Sequence, residues 1–575
     1  MLTGSSSDPG TMTDSTEQGG GRPPAAQPRA AATVVVVRDG AAGMEVLLMR
    51  RVERSNDRSS GAFVFPGGTL DAGDRALHEW CSGLDDAAAS ARLRLERHGL
   101  DYFVAAVREC FEEAGLLFAC DDAGALARLE DIPAAEIADM RTAIRRGDTD
   151  LGAVCRRRGL RLAVDRLAYH SHWLTPPGLP KRFDTRFFVA VAPAGQSASF
   201  DRLETLEHRW IRPRDALGEE FGFRLPNATR QTLESIAAFA SARACFEHAQ
   251  ALRDIERIMP RIGHGAQGPR PVMPNEPAYA EIGRIDPDGA GTASYELPTG
   301  RVVQLSERVR RLTAPNGSVM TGPGTNTYFV GDPPGAACAV IDPGPDDASH
   351  VEAILAAAPA PIRWILVTHT HRDHSPAAAA LKARTGASLF GMRARFAAWQ
   401  DAGFAPDRLL TDGERVAVGA TSTLRAIHTP GHASNHVCYL LEEERTLFTG
   451  DHVMQGSTVV IDPPDGDMAQ YVEALRALLR EDLQWLAPGH GFLIERPAEA
   501  IERLLRHRLG REAKVLAALR ALGPSEVDSL LAQVYDDVPV RMHPVARRSL
   551  TAHLLKLEAE GRAWEGAGRW ATTRS

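Results

Sequence analysis

THTHRDHS, Thr368–Ser375, places three histidines and an aspartate within six residues, directly after the apolar run WILV. Packing gives no reason to crowd imidazoles in this way; holding a cation does. His369 and His371 lie two apart and can point the same way, while Asp373 and His374 lie further round the turn. A loop that follows an apolar strand at its C-terminal edge is where α/β folds place their sites. Imidazole mixed with carboxylate suits zinc, with manganese or iron as rivals. Two ions a few ångströms apart could each draw ligands from this one loop.

One loop cannot complete two coordination spheres, and the same half of the chain repeats the context. HTPGHASNHV offers His432, LFTGDHV offers Asp451, LAPGHG offers His490 and ACAVIDPG offers Asp342, each after an apolar run. His428 and His436, in the first of these motifs, read as loop structure or as support for a ligand. His452 directly follows Asp451 and is expected within reach of a substrate.

Working outward, 575 residues exceed one core and suggest roughly three or four folding units at about 150 residues per domain. Net charge is -8, which argues against a protein built around one strong nucleic-acid surface but not against a local basic patch. The seven cysteines form no C-x-x-C pair, which predicts reduced thiols and a cytoplasmic location. No run approaches the length of a membrane span, so no membrane partner is expected. Residues 1–30 lack an apolar core segment and read as a disordered tail, not a signal peptide. A first domain is expected over 31–259, opening on a hairpin at Ala31–Arg51. Strands follow at Arg182–Pro193 and His208–Pro213, then one long helix over Gln231–Ile258. The Pro- and Gly-rich stretch 260–297 reads as a linker. Over 298–510 strand and helix signals alternate, and 511–575 reads as three helices and a short hairpin.

The first domain carries a second chemical signal. In RECFEEAG, Arg108–Gly115, a helix places Glu109, Glu112 and Glu113 at i, i+3 and i+4, on one face. Arg108 offsets only part of their repulsion, and magnesium or manganese would explain them. Upstream, PGGTLDAGD supplies Gly67 and Gly68, where backbone can approach closely.

From about Val302 to Arg511 these motifs resemble the metallo-β-lactamase superfamily. The resemblance implies an αββα sandwich, with His369, His371 and His432 on one zinc, Asp373, His374 and His490 on a second, and Asp451 bridging. It makes Asp342 a group that orients the ligand loop, a metal-acidified hydroxide the nucleophile, and Asp373 part of the catalytic set. GPGTNTYFVG, IDPG, TPGH, FTGDHV and PGHG, followed by HRLGRE, resemble more narrowly the β-lactamase-like protein 2 group. That group implies a winged-helix-like C-terminal module and cleavage of single-stranded RNA. The segment Ile501–Ser575, with 13 Lys and Arg against 9 Asp and Glu, suits such a partner. Thioester hydrolases of the glyoxalase II type share the same metal motifs.

The carboxylate helix resembles the Nudix hydrolases, whose box reads G-x5-E-x7-R-E-U-x-E-E-x-G-U. Arg108, Glu109, Glu112, Glu113, Gly115 and Leu116 match its second half. Asp74 stands where the family has Glu, and the spacer Arg75–Val107 has 33 residues where the family has 7. The long insertion is similar to the coenzyme A diphosphatase branch. It implies an α/β/α sandwich in which Glu112 and Glu113 hold Mg2+ or Mn2+ and Glu109 is a ligand or the base. The expected whole is a multidomain α/β hydrolase with two metal sites: two Zn2+ ions for an ester-like bond, thioester or phosphodiester, and a Nudix site for a diphosphate of coenzyme A or a nucleoside. The alternative is an RNA-processing endoribonuclease with the Nudix half as a binding module.

Overall fold

A computed structural model of the chain describes residues 26–53, 60–200, 205–396, 398 and 401–573. It divides into two units, Met1–Arg257 and Ile258–Ser575. Most of the expected tail lies outside the described residues, and its last two positions, Arg29 and Ala30, already belong to a strand.

In the first unit the VVVV run forms the strand Arg29–Gly40, parallel to Phe183–Val191 and antiparallel to Gly43–Arg51. Side chains alternate across a strand. Val34 and Val36 therefore enter a core with Phe103, Val107 and Phe111 of the helix Leu100–Ala114. Val35 and Val37, equally buried, face the side on which the helix Ala242–Ala251 contacts the same strands. The unit is thus an α/β/α sandwich, and both-face burial is why the strand reads as an unbroken apolar run. The single helix expected over Gln231–Ile258 is instead two, Asn227–Ile236 and Ala242–Ala251. Ser241 adopts an extended backbone and caps the second by accepting from Ala244 N, while Ala242 N donates to Asp39 Oδ1 at 2.8 Å. Those two bonds end the first helix although the apolar periodicity continues.

The second unit stacks two sheets. The first runs Val302–Gln304, Val309–Thr313, Asn326–Val330, Cys338–Ile341, Ile362–Leu366, Ser388–Gly391 and Arg408–Leu409 in sequence order. The second runs from Arg415–Ala417 to Ile494–Glu495, also in sequence order. Tyr328, Val330, Ile341 and Leu366 of one sheet meet Leu424, Ala426, Tyr439 and Phe448 of the other. Their alternates Phe329, Val340 and Ile365 lie with residues of the helices Ala348–Ala357 and Ala377–Thr385. Cys438, Leu440 and Leu447 lie with Met468–Leu478 and Pro497–Leu522. This is the αββα sandwich.

Two expected boundaries differ. Residues 260–297 do not form a bare linker. They contain a small sheet, Arg261–Gly263 with Arg270–Val272, and the helix Tyr279–Ile285. Val272, Ala278, Ile282 and Ala293 form a core with Phe492, and Glu281 makes a buried two-bond ion pair with Arg311 at 2.6 and 2.8 Å. The division at 510/511 falls inside the single helix Pro497–Leu522. Its Val515, Leu516 and Leu519 share a core with Leu530, Leu550, Leu554 and Trp570 of the C-terminal helices and hairpin. All seven cysteines are buried and unpaired. Among the described residues no helix is long and apolar enough to cross a membrane.

Candidate functional site

The strand Cys338–Ile341 delivers Asp342 in the left-handed region, at φ 51°, a conformation that aspartate tolerates better than most side chains. Its Oδ1 accepts from Thr368 N at 2.7 Å, and its Oδ2 from Thr368 Oγ1 at 2.8 Å and His374 Nδ1 at 2.9 Å. Thr368 Oγ1, having given its only proton, accepts from His369 Nδ1 at 3.0 Å. His432 Nδ1 donates to Val460 O at 2.7 Å and His490 Nδ1 to Gly324 O at 3.1 Å. With these four Nδ1 protons committed outward, each Nε2 turns inward, which is how ligand imidazoles are held ready.

His371 presents its other nitrogen: its Nδ1 lies 3.0 Å from His369 Nε2 and 3.0 Å from His432 Nε2. One Nδ1 proton cannot serve two acceptors, so three nitrogens converging on a point fit a cation better than they fit each other. In the second set, His490 Nε2 lies 3.2 Å from Asp373 Oδ2 and 3.3 Å from Asp451 Oδ1. His374 Nε2 lies 3.4 Å from the same two oxygens. His374 Nε2, His490 Nε2 and Asp451 Oδ1 are buried and make no well-formed hydrogen bond, so this set also fits a metal. The other oxygen of Asp451, Oδ2, is 3.8 Å from His432 Nε2. Asp451 thus shows one oxygen to each set, and the donor atoms of each set lie within 4.8 Å of one another.

The two sets differ in charge demand. Burial, reinforced by neighbouring imidazoles, pushes His369 well below the usual histidine range and His371 down to about 3. At His490 burial also opposes charge, but Asp451 and Asp373 outweigh it and push the imidazole up to about 10; His374 is raised well above its usual range in the same way. In the metal-free chain protons answer these carboxylates, and a divalent cation would displace them. Close approach needs glycine beside the site: a Cβ on Gly489 would stand 2.8 Å from Asp451 Oδ1 and from His374 Cε1.

The remaining histidines stay outside. His436 is buried, its Nδ1 on Thr429 Oγ1 at 2.9 Å and its Nε2 accepting from Asp451 N at 3.2 Å, so it supports the Asp451 turn. His428 is exposed. His452, expected within reach of substrate, is fully buried between His436 and Tyr471, with ring centroids 5.7 and 4.8 Å away. Successive residues on the turn point apart, so only Asp451 faces the site. Sequence reading missed Thr368, the hydroxyl relay between Asp342 and His369; its signal was its place beside the first ligand.

In the first unit Gly67, Gly68, Asp74, Arg108, Glu109, Glu112 and Glu113 line one cavity of about 1200 Å3. Asp74 is buried and takes Arg108 through two bonds, 2.7 and 3.1 Å. It can do so because the 33-residue excursion folds back: Asp71 caps Ala72–Trp80, and Asp74 accepts from Asp71 N. Arg108 Nη1 reaches Glu109 at 2.8 Å and Glu112 at 3.3 Å, while Gly67 N donates to Glu113 Oε2 at 3.0 Å. A Cβ on Gly68 would collide with the Glu109 carboxylate at 2.3 Å. Among the described residues the three glutamates do not converge into a tight donor set as the histidines do. Burial raises the Glu112 carboxyl and Arg108 only partly offsets it, a cost that a divalent cation would relieve.

Comparison with known proteins finds family models in both units. The metallo-beta-lactamase superfamily model matches residues 320–490, the beta-lactamase associated winged helix domain 527–570, and the NUDT19 Nudix domain 98–222. The beta-lactamase-like protein 2 homolog of Drosophila melanogaster is 32% identical over 278 residues, covering 45% of this chain and 91% of that protein. Its counterpart in Caenorhabditis elegans is 28% identical over 268 residues, covering 45% and 87%. A metallo-beta-lactamase family protein from Thermus thermophilus aligns at TM-score 0.40 and 22% identity over 47% of this chain and 100% of that one. A NUDIX hydrolase from Alicyclobacillus acidocaldarius aligns at TM-score 0.33 and 29% identity over 38% and 96%. The chain is therefore a hydrolase of the metallo-β-lactamase superfamily that carries a Nudix domain ahead of the sandwich and a winged helix behind it.

Proposed function

We propose that the second unit is a dinuclear zinc hydrolase that cleaves an ester-like bond, a thioester or a phosphodiester, and that the first unit hydrolyses an organic diphosphate of the coenzyme A kind. The observation that carries the first part is Asp451, with one carboxylate oxygen toward each donor set. His369, His371 and His432 would hold one ion, Asp373, His374 and His490 the other, with Asp451 between; five of the six imidazole or carboxylate donors that are not shared are histidine, a set that favours zinc. When bound, the pair supplies an acidified water and polarises the bond to be broken. The chain supplies the rest. Asp342 and Thr368 hold the imidazoles in the tautomer that turns Nε2 inward. Asp373 is the more exposed carboxylate of the set, at 25% of its side chain against 12% for Asp451, so it is the donor that solvent water and a substrate would reach first.

In the first unit, Asp74 holds Arg108, which spaces Glu109 from Glu112. Glu112 and Glu113 would hold Mg2+ or Mn2+, and Glu109 serves as a ligand or as the base that draws a proton from water. The winged helix supports a second reading, with single-stranded RNA as the phosphodiester, because Trp564 stands 47% exposed on its hairpin and can stack on a base.

The test is metal content by elemental mass spectrometry on the full chain, wild type beside His371→Ala. About two zincs per chain, falling sharply in the variant, are expected for two donor sets. No bound zinc, or no change in the variant, would remove the dinuclear assignment. A panel of thioester, single-stranded RNA and coenzyme A substrates, with Glu112→Gln as the control for the first unit, then assigns the bonds.

A further inference from the structure

The cavity of about 1200 Å3 in the first unit has a wall that the carboxylate motif does not describe. It is the run 144–151, which joins the end of the helix Ala134–Arg146, a turn at Gly147, and the start of the helix Leu151–Arg158. This run brings Arg145 and Arg146, with Asp148 and Asp150, to a cavity whose motif residues are Glu109, Glu112 and Glu113; Asp150 is engaged as the cap of the next helix, accepting from Ala153 N at 2.6 Å.

Arginine in the last turn of a helix is ordinarily there for the helix dipole. Here the helix is also tied to the carboxylate helix. Arg141, 4% exposed, donates to Glu112 O at 3.0 and 2.8 Å, to Glu113 O at 2.8 Å and to Ser199 Oγ at 2.8 Å. Residues four apart share a helix face, so Arg145 stands one turn beyond this anchor on the same side. Its charge reaches the Glu112 carboxyl, after the larger effects of burial and Arg108. Arg146 is exposed and makes no hydrogen bond or ion pair with any described residue. Leu77, Ile144 and Leu151 back this cavity from the core, and the half-buried Phe183 adds apolar surface to it. Glutamates for a cation, guanidiniums for an anion and apolar wall for a body match one class of ligand, an organic diphosphate ester.

We infer that Arg145 and Arg146 form an anion subsite that grips the diphosphate of such an ester, beside the glutamates that would hold its divalent cation. This rests on the diphosphatase reading of the first unit. The subsite lies outside the matched motif residues and sets which substrates bind, whereas the glutamates set whether they react.

The test uses the full chain with Mg2+. Binding of methylenediphosphonate is measured by calorimetry, and KM and kcat are measured on coenzyme A. Arg145→Gln and Arg146→Gln are each expected to weaken binding and raise KM on the order of tenfold, with kcat within about threefold. Arg146→Lys should recover part of the loss by keeping the charge without the planar fork. Arg146→Glu, at an exposed position that does not threaten folding, should abolish binding of the analogue. Turnover in the wild type with unchanged KM in the Arg146 variants would overturn the subsite and leave the diphosphatase reading standing. Arginine-dependent binding without turnover would support the subsite and remove the diphosphatase reading. Neither binding nor turnover in the wild type would overturn both.

Discussion

Glu281→Ala should destabilise the second unit more than an ordinary core truncation, although Glu281 lies in a stretch whose composition reads as linker. Its carboxylate meets Arg311 through bonds of 2.6 and 2.8 Å and accepts from Leu493 N at 2.9 Å, with the two residues 2% and 1% exposed. Alanine leaves a guanidinium buried without a counter-charge, which costs about 3–5 kcal/mol. The orphaned Leu493 amide adds roughly 1–3 kcal/mol, with incomplete additivity because both lose the same partner. A loss of about 4–6 kcal/mol follows, a large fraction of the total stability of a domain. Glu281→Gln keeps shape and one acceptor and should cost about half as much. Glu281→Leu with Arg311→Met removes both charges and should recover the ion-pair part of the loss, leaving only the roughly 1–3 kcal/mol of the orphaned Leu493 amide. The assay is hydrogen exchange across a urea series, reading peptides that cover Val309–Thr313 and 488–495, with first-unit peptides as the internal reference. A loss below about 1 kcal/mol in Glu281→Ala, or a double variant as unstable as the single one, would refute the reasoning. The local consequence is functional, because Leu493 lies three residues after His490.

Two further outcomes follow from the same geometry. Asp342→Asn cannot accept from Thr368 N, Thr368 Oγ1 and His374 Nδ1 together, so zinc affinity should fall about 10–100-fold while the circular dichroism spectrum stays unchanged; an unaltered affinity in competition with a chelator would show that Asp342 does not orient the ligands. His553 is fully buried, and burial, with Arg508 nearby, pulls its pKa down to about 3 from an unfolded value near 6.5. The unfolded chain therefore gains a proton that the folded one refuses, so stability is full above about pH 6.5 and falls toward pH 3, by at most about 1.4 kcal/mol per pH unit; His553→Leu should flatten that slope in pH-dependent thermal melts, and parallel curves for the two proteins would exclude the effect.

Much was legible in the sequence because the signals were local. A run of valine buried on both faces needs a strand, and glutamates at i, i+3 and i+4 share a helix face whatever the fold. Histidine and aspartate after apolar runs stand out because no packing argument places them there; the seven expected as zinc ligands lie in two donor sets, whereas the three glutamates expected as ligands form no such set among the described residues. Four things were decided only by tertiary structure. The length of the helix after Gln231 depended on Asp39, some 200 residues earlier, capturing Ala242 N. The fate of residues 260–297 depended on Arg311, since proline and glycine report backbone freedom and say nothing of a distant guanidinium that will bury one glutamate. The pairing of Asp74 with Arg108 depended on 33 residues folding back on themselves, and the division of the Asp451 oxygens between two sets depended on loops from both sheets arriving together. Residue chemistry and periodicity are written in the chain; which oxygen faces which nitrogen is set by backbones far apart in sequence, and exists only once both sheets have packed.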